Sequence, residues 1–567
     1  MTLGARDRHE YALLTDGTCV AAGPAMTHIA LVGPEIEENL SLRYIASSLF
    51  VQGHTSDIVA FNGPTDFGPA IAQVLATRPA VVGISLAFQW RASDFFAFAV
   101  ALREGGYTGH VTAGGHFGTF AAREIMIDFP EIDSLCVQEA EQTFCDLVAR
   151  VDGDRPLNDV PGLWLRGPSG APFFTGHPAL PDLAKLAWPD RRGEPAACFG
   201  HAIAPLVSSR GCYANCSFCC IAAWHEQSQP GKRYRLRDVD DVAAEMVEMQ
   251  RSRGIDIFVF HDDNFFVPGH RKNIERFSAL ADVLERRGIG NFATVVKARP
   301  TDVTPAVFAV LKERLRCIRC YIGIETDADQ GLSTLQRWAQ SKQNHRAIDV
   351  ARELDLYACF NMLLFDPDTT LESIETNIAF MRFAPDFPSN FGRVELYAGT
   401  PLLARMQAEG RCRGDYLSWD YTLGDPRAER VFQLSMRCFD ERNFGVDALA
   451  NRIMGTRFDI EVVRHFHPEL FREEWLVEGK ELSRAMTLSG AESLERIVRF
   501  ASADGAAVDE EALVAEETAK LRAAEDGVRA GARDLARALL ATVKRGKPLT
   551  WIGDRVATPL QKAREVA

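Results

Sequence analysis

Residues 208–219, Ser-Ser-Arg-Gly-Cys-Tyr-Ala-Asn-Cys-Ser-Phe-Cys, place Cys212, Cys216 and Cys219 four and three residues apart, directly after the apolar run 203–207. Three thiolates at that spacing, in a loop leaving a strand, can converge on one iron–sulfur cube. A structural metal site normally presents four protein ligands, so three cysteines leave one iron open. A zinc knuckle would need a Cys/His pair at zinc spacing, and the neighbourhood offers only His225. Cys220 adjoins Cys219, but consecutive side chains diverge, which leaves it outside the set. Plain buried thiols are the bland alternative.

Other polar residues stand where apolar segments end. Ser85 closes one such segment, Gly114-Gly115 another, and Gln138-Glu139-Ala140-Glu141 follows a third. Paired glycines let a backbone approach a flat ligand; equally, they make a tight strand-to-helix turn. Downstream come His261-Asp262-Asp263-Asn264, then Lys297 and Arg299, Glu325, Asp366 with Thr369 and Thr370, and Tyr397. Two adjacent acids beside an apolar strand are costly unless partnered, and the structural alternative is a helix-capping turn. Cys317 and Cys320 form a CxxC on an apolar strand with no further cysteine pair beside it, which reads as core packing rather than a redox pair.

The elements that must carry these residues alternate. Strand-like runs at 28–33, 55–60, 80–86, 110–113 and 134–137 are separated by helical patterns at 38–53, 67–76, 92–103 and 121–129. That order implies a parallel sheet wrapped on both faces, with ligands at the strand C-termini. Residues 152–200 are rich in Pro, Gly and Asp and read as a connector. From 201 the alternation resumes: strands at 203–207, 255–260, 292–297, 317–324, 358–365 and 392–397, with helices at 239–253, 272–287, 305–314, 344–354 and 371–383 between them. Six strand–helix units fit a partial barrel whose site lies at the strand C-termini. Beyond 406 the chain reads as mainly helical, with a long Ala- and Glu-rich helix over 510–544 and no clean heptads.

A chain of 567 residues exceeds one core, and 47% hydrophobic with 25% charged residues is ordinary for a globular protein. The formal net charge of −14 argues against a general nucleic-acid binder. No run reaches the roughly 20 apolar residues that span a bilayer, and none has the parts of a signal peptide. Thirteen scattered cysteines fit a reducing compartment. The expectation is a cytoplasmic protein without nucleic-acid or membrane partners.

The loop 208–219 resembles the cluster-binding loop of the radical S-adenosylmethionine (SAM) enzymes, including the aromatic Phe218 before the last cysteine. The resemblance implies a 4Fe–4S cluster on Cys212, Cys216 and Cys219, with the methionine part of SAM on the open iron. One electron from the cluster then cleaves SAM to a 5′-deoxyadenosyl radical. It implies SAM contacts at Phe218, Asp262, Asp263, Asn264, Lys297, Arg299 and Glu325, the last in Tyr-Ile-Gly-Ile-Glu-Thr (321–326), which is similar to the family's Gly-x-Glu position. Asp366 and Tyr397 stand as catalytic or substrate-facing residues.

The segments 37–54, 81–86, 112–125 and 137–144 together resemble the cobalamin-binding domain found in front of many radical SAM cores. This implies cobalamin contacts at Glu38, Asn39, Ser85, Gln89, Trp90, Gly114, Gly115 and Glu139, with Gln89, Trp90 and Arg91 towards the lower side of the corrin. Domains that ligate cobalt from below carry an Asp-x-His-x-x-Gly loop after the first strand; this chain has Gly33-Pro-Glu-Ile-Glu-Glu38 there and no histidine. His116 reads as a loop residue.

The fold class expected is therefore α/β: an extension (1–26), a Rossmann-like doubly wound cobalamin-binding domain (27–151), a linker (152–200), a partial TIM-like (β/α)6 radical SAM barrel (201–405) and a mainly helical C-terminal domain (406–567). The resemblance implies a cobalamin-dependent radical SAM methyltransferase. It would move a methyl group from methylcobalamin to an unactivated carbon, or as a lesser alternative phosphorus, of a small molecule derived from secondary metabolism or an amino acid. An external electron donor such as flavodoxin or ferredoxin is implied. Three other readings stay open: a cobalamin-dependent rearrangement or cyclisation, a cobalamin-free radical SAM enzyme, and a non-catalytic iron–sulfur protein.

Overall fold

Short, largely apolar runs form strands β1 (His28–Gly33), β2 (Thr55–Ala60), β3 (Val81–Ser85), β4 (His110–Gly114) and β5 (Ser134–Cys136), all parallel, in the spatial order 2-1-3-4-5. The computed structural model describes residues 27–227, 234–445, 447–503 and 507–549. Every residue of β3 is buried, as a central parallel strand covered on both faces requires. Helices α1 (Leu40–Val51) and α6 (Glu141–Asp152) cover one face, where Leu42, Ala46, Leu49, Phe144, Leu147 and Val148 meet Ile29, Leu31 and Val81. Helices α2 (Phe67–Thr77) and α3 (Ala92–Glu104) pair with each other, and Phe95 and Phe98 of α3 pack with Phe61 at ring distances of 5.0 and 5.5 Å. The strand order reverses between β1 and β3, so the loops after these two strands bound the ligand crevice of a doubly wound sheet.

Residues 152–200 are more than a connector. β6 (Leu163–Arg166) pairs antiparallel with β5, and β7 (Pro172–Phe174) pairs antiparallel with β6, extending the sheet to seven strands. Strands of four and three residues between Gly and Pro are too short to show a period, so sequence pattern could not reveal them. One unit takes residues up to 195 together with 220–255 and 414–418, and the other takes 196–219, 256–413 and the residues from 419 onwards.

The second sheet runs β14-β13-β12-β11-β10-β9-β8 in space: β9 (His201–Leu206), β10 (Ile255–Phe260), β11 (Ala293–Ala298), β12 (Cys317–Ile322), β13 (Ala358–Phe365) and β14 (Ser389–Arg393), with β8 (Ala196–Cys198) antiparallel on the β9 edge. Strands β10 to β14 pair in parallel, each with the next. Helices α9 (His270–Arg286), α10 (Pro305–Arg314), α12 (Ser341–Glu353) and α13 (Leu371–Phe383) form the crossovers of this open half-barrel. The C-terminal helices share its core and also pack a cluster of their own, in which Leu449, Ile453, Met486 and Val528 meet. Met454 and Phe458 of α16 (Leu449–Phe466) pack with Ile257, Ile318, Tyr357 and Cys359, and the Tyr357 hydroxyl donates to the Met454 carbonyl at 2.8 Å. Helix α17 (Glu473–Ser502) and helix α18 (Ala507–Val543) pack on α16 and on each other. Among the described residues no helix is long and apolar enough to cross a membrane.

Candidate functional site

The cysteine loop leaves the half-barrel at the end of β9 and is wired into the ends of the next strands. Asp262, two residues past β10, is fully buried and accepts from the Ser208 N–H, the Ser208 hydroxyl at 2.7 Å and the Ser209 hydroxyl at 2.5 Å. Burial pushes its pKa up, and the Ser209 and Ser208 hydrogen bonds with the Arg276 charge oppose that. Asp263 accepts from the Gly211 N–H at 2.9 Å, and the Asn264 amide lies 3.6 Å from Cys212 Sγ. These three residues, expected at SAM, brace the loop that holds the cysteines. Tyr213 donates to the buried Asp302 at 2.7 Å, and Ser217 donates through its hydroxyl to the Thr334 carbonyl at 2.7 Å. The loop is thus tied down on both sides of Cys216.

Cys216 is buried between two guanidinium groups: Arg299 Nη1 lies 3.3 Å and Arg337 Nη1 3.4 Å from its Sγ. Arg337 also donates to the Gly323 carbonyl, and Arg299 donates to the Arg337 carbonyl. Cys212 and Cys219 are half-buried, as is Phe218. Burial pushes the Cys212 thiol up, opposed by the Ala214 N–H and the Asn264 amide. The three thiols share one loop, and among the described residues no three ligating side chains surround a common point.

Glu325 takes a left-handed conformation (φ 63°) past the end of β12, and its carboxylate stands 3.9 Å from Arg337 Nη1, beyond hydrogen-bond reach. Burial raises its pKa, with Arg337 and Arg299 opposing. Gly323 makes room for it, since a Cβ there would lie 3.0 Å from Glu325 Oε1. Lys297 is exposed, its Nζ 3.5 Å from His261 Nδ1. The sixth strand ends at Arg393, so Tyr397 lies in the loop beyond it, half-buried, donating to Glu395. Asp366, expected to face substrate, is buried and closes its own loop by accepting from the Asp368 N–H at 2.9 Å and from Gln330 at 3.3 Å. Cys317 and Cys320 are buried core thiols, burial pushing Cys317 up to about 12.

In the first unit the strand ends are spent on the protein itself. Glu38 is buried, its carboxylate held by Arg191 and by Arg253 at 2.8 Å, and Arg191 also bridges to Glu245 at 2.8 Å. Asn39 caps α1, accepting from the Leu42 N–H at 3.3 Å and donating to the Pro34 carbonyl at 3.0 Å. Glu139 is buried against Arg235. A Cβ on Gly114 would lie 2.9 Å from the Cys136 carbonyl oxygen, and one on Gly115 (φ 107°) 2.9 Å from the Leu86 backbone, so contact between neighbouring strand ends requires this pair. These five positions, expected at cobalamin, therefore have roles within the fold. Ser85 and Gln89 are buried, and Arg91 is locked by the Phe61 carbonyl at 3.0 Å. Trp90 is different: it is 56% exposed beside Phe88, which is 53% exposed, with ring centroids 6.3 Å apart. His116 opens helix α4 (His116–Phe120), its ring tilted by 54° against that of Trp224 at a centroid distance of 5.0 Å.

Arg337 and Trp224 escaped sequence reading, because a buried guanidinium or indole has no distinguishing neighbour pattern. The donor set suits an anionic thiolate-held cluster: three thiols and two guanidiniums whose Nε atoms are buried without partners. Past β5 the buried Gln138 Oε1 has no hydrogen-bond partner, and past β3 the rings of Phe88 and Trp90 are exposed; an acceptor and apolar rings are the groups a corrin with amide arms would use.

Two family models match the chain: the B12 binding domain over residues 27–148 and the Radical SAM superfamily over residues 206–381. The uncharacterized methyltransferase PH0819 of Pyrococcus horikoshii is 24% identical across 64% of this chain and 77% of its own length. The anaerobic magnesium-protoporphyrin IX monomethyl ester cyclase of Rubrivivax gelatinosus is 24% identical across 52% of each chain. The solved structure of the cobalamin-dependent S-adenosylmethionine radical enzyme OxsB with aqua-cobalamin bound is 15% identical and covers 94% of this chain and 83% of that one, with a TM-score of 0.65. That likeness establishes the fold.

Proposed function

We propose that this member of the cobalamin-dependent radical SAM family, with a 4Fe–4S cluster, SAM and cobalamin as its cofactors, is a methyltransferase acting on an unactivated carbon of a small molecule. The observation that carries the reading is the cysteine loop: three thiols, wired into the strand ends, with no fourth cysteine in the set and two guanidiniums on its central member. When bound, the cluster supplies the electron that cleaves SAM, and the cobalamin supplies a methyl carrier. Cys212, Cys216 and Cys219 would hold three irons. Arg299 and Arg337 would balance the negative charge there. Glu325, whose carboxylate stands 3.9 Å from Arg337 Nη1 and beyond its hydrogen-bond reach, would accept hydrogen bonds from the SAM ammonium or ribose. Lys297 with His261, and Tyr397 with Glu395, would orient the substrate at the barrel mouth, and Trp90 would lie against the corrin. The similarity to PH0819 supports methyl transfer.

The similarity to the cyclase favours a second reading, ring formation without methyl transfer. Protein reconstituted without oxygen should hold about one cobalt and four irons per chain. Incubation with trideuteromethyl-SAM and reductant should leave label in the corrinoid fraction. Label confined to SAM and methionine would favour the cyclase-like reading, and iron without cobalt would remove the methyltransferase.

A further inference from the structure

A cleft of about 420 Å³ opens beside the cysteine loop, lined by Tyr213 and Asn215 from the loop itself and by His270, Arg299, Thr301 and Trp338 from its neighbours. Trp338 is 78% exposed, the largest exposure among the exposed large apolar side chains of the described residues. Its backbone is left-handed (φ 53°), and so is that of Gln336 (φ 49°). Left-handed backbone at a non-glycine residue costs roughly 1–3 kcal/mol and persists where surrounding structure holds it. Here the residue between the two is Arg337, pinned to Cys216 Sγ and the Gly323 carbonyl. The same turn that puts a guanidinium on the central cysteine therefore holds an indole out in water.

The charge around the cleft is equally uneven. Segments 207–219, 264–272, 297–301 and 335–346 hold eight arginines and lysines and no aspartate or glutamate, in a chain with 77 acidic against 63 basic residues. Arg271, with a side chain 91% exposed and its Nε 2.7 Å from the Glu275 carboxylate, and Lys272 stand at the start of α9 beside the lining residue His270. Lys342 is exposed four residues beyond Trp338. The one carboxylate in the lining, Asp302, is buried under the Tyr213 hydroxyl.

We propose that this cleft is the docking surface for a small acidic one-electron carrier protein, with Trp338 as its apolar anchor and Arg271 and Lys272 as its steering charges. The proposal rests on the radical SAM reading, which requires an electron from outside. A basic rim around an exposed tryptophan has the anatomy of a charge-steered interface with one central anchor. Tyr213, Ala214 and Asn215 lie between Cys212 and Cys216, so a partner seated there stands against the backbone joining two ligands. One electron would pass from the reduced carrier, which is oxidised, to a cluster held by Cys212, Cys216 and Cys219, which is reduced; no bond forms or breaks.

The test uses the full-length reconstituted protein and an acidic flavodoxin as probe. Binding is titrated calorimetrically at about 50 and 300 mM NaCl, where screening of exposed charges differs strongly. Deoxyadenosine formation from SAM is measured with reduced flavodoxin and, separately, with dithionite. Trp338→Ala and the double variant Arg271→Glu/Lys272→Glu should each weaken flavodoxin binding roughly tenfold or more, slow flavodoxin-driven cleavage in parallel, and leave dithionite-driven cleavage unchanged. Wild-type binding should fall as salt rises. Unchanged flavodoxin affinity in both variants overturns the proposal, as does self-association of the chain that shields Trp338 from a quencher. Absence of dithionite-driven cleavage in the wild type would sink the radical SAM reading instead, with the binding titration still deciding the surface.

Discussion

The two sheets use their strand C-termini in opposite ways. In the half-barrel, Asp262, Asp263, Asn264 and Arg299 reach from the strand ends into the cysteine loop, and Arg337 joins them. In the first sheet, Glu38 and Glu139 are neutralised by Arg191, Arg253 and Arg235 of the same unit, Asn39 caps a helix, and aromatic rings stay exposed. The difference matches two kinds of cofactor chemistry. A cluster held by thiolates needs fixed ligands and compensating positive charge. A large flat cofactor is held by shape and by contacts at its edge. Polar substitutions should therefore damage ligand holding in the half-barrel and mainly folding in the first unit.

The largest effect belongs to the central cysteine. Cys216→Ala is expected to abolish the intact cluster and SAM cleavage while leaving cobalamin content nearly unchanged, measured by iron and cobalt analysis and deoxyadenosine assay. Normal deoxyadenosine formation in that variant would falsify the site assignment. Arg337→Met comes next: it leaves all three thiols in place, so a merely structural arginine would cost stability alone. Loss of an outer partner of metal ligands costs about 10–100-fold in affinity, and iron retention through gel filtration should fall accordingly. Equal retention would mean that the guanidinium contacts on Cys216 carry no ligand-holding role.

The first unit supplies the contrast. Glu38→Gln removes the carboxylate from Arg191 and Arg253, and breaking a buried pair of this kind costs about 3 kcal/mol. The urea midpoint should drop, while the cobalamin affinity of the folded fraction should hold. Trp90→Ala should do the reverse, weakening cobalamin roughly tenfold through lost apolar contact and moving stability by less than about 0.5 kcal/mol. If Glu38→Gln lowered affinity without lowering stability, the acid would be a cofactor contact and the contrast between the units would fail.

What was legible in the sequence follows from how local each signal is. The doubly wound sheet and the half-barrel could be read because buried parallel strands are continuous apolar runs between helical periods, as in Val81–Ser85 and Ile255–Phe260. The cysteine loop could be read because ligand spacing is itself local. The polar run at Asp262 to Asn264 was visible, but its job was not, since its hydroxyl and amide partners lie more than fifty residues earlier. Arg337 and Arg191 were invisible for the same reason: their partners Cys216 and Glu38 are distant in sequence, and nothing local separates a buried arginine from a solvated one. Short strands such as Pro172–Phe174 show too few residues for a period to emerge.

The smallest effect tests the limit of the contrast, because the half-barrel also contains a carboxylate spent on arginines. Asp368, in the loop after β13, accepts from Arg405 at 2.6 Å, Arg411 at 2.8 Å and Thr334 at 2.9 Å, yet keeps 26% of its side-chain surface exposed. Burial alone would raise its pKa, but hydrogen bonds from Arg411, Arg405 and Thr334 outweigh it and hold the carboxyl below its ordinary value. A depressed carboxylate contributes stability that is present above its unfolded pKa of about 3.9 and lost as pH falls through the lower folded value. Solvent screening limits that contribution, so Asp368→Asn should cost only about 1 kcal/mol at pH 7. The gap between wild-type and variant urea midpoints should narrow as pH drops below about 4 and then close. A loss at pH 7 as large as that of Glu38→Gln would show that partial exposure does not separate the two arginine clamps, and that burial is the wrong variable for ranking them.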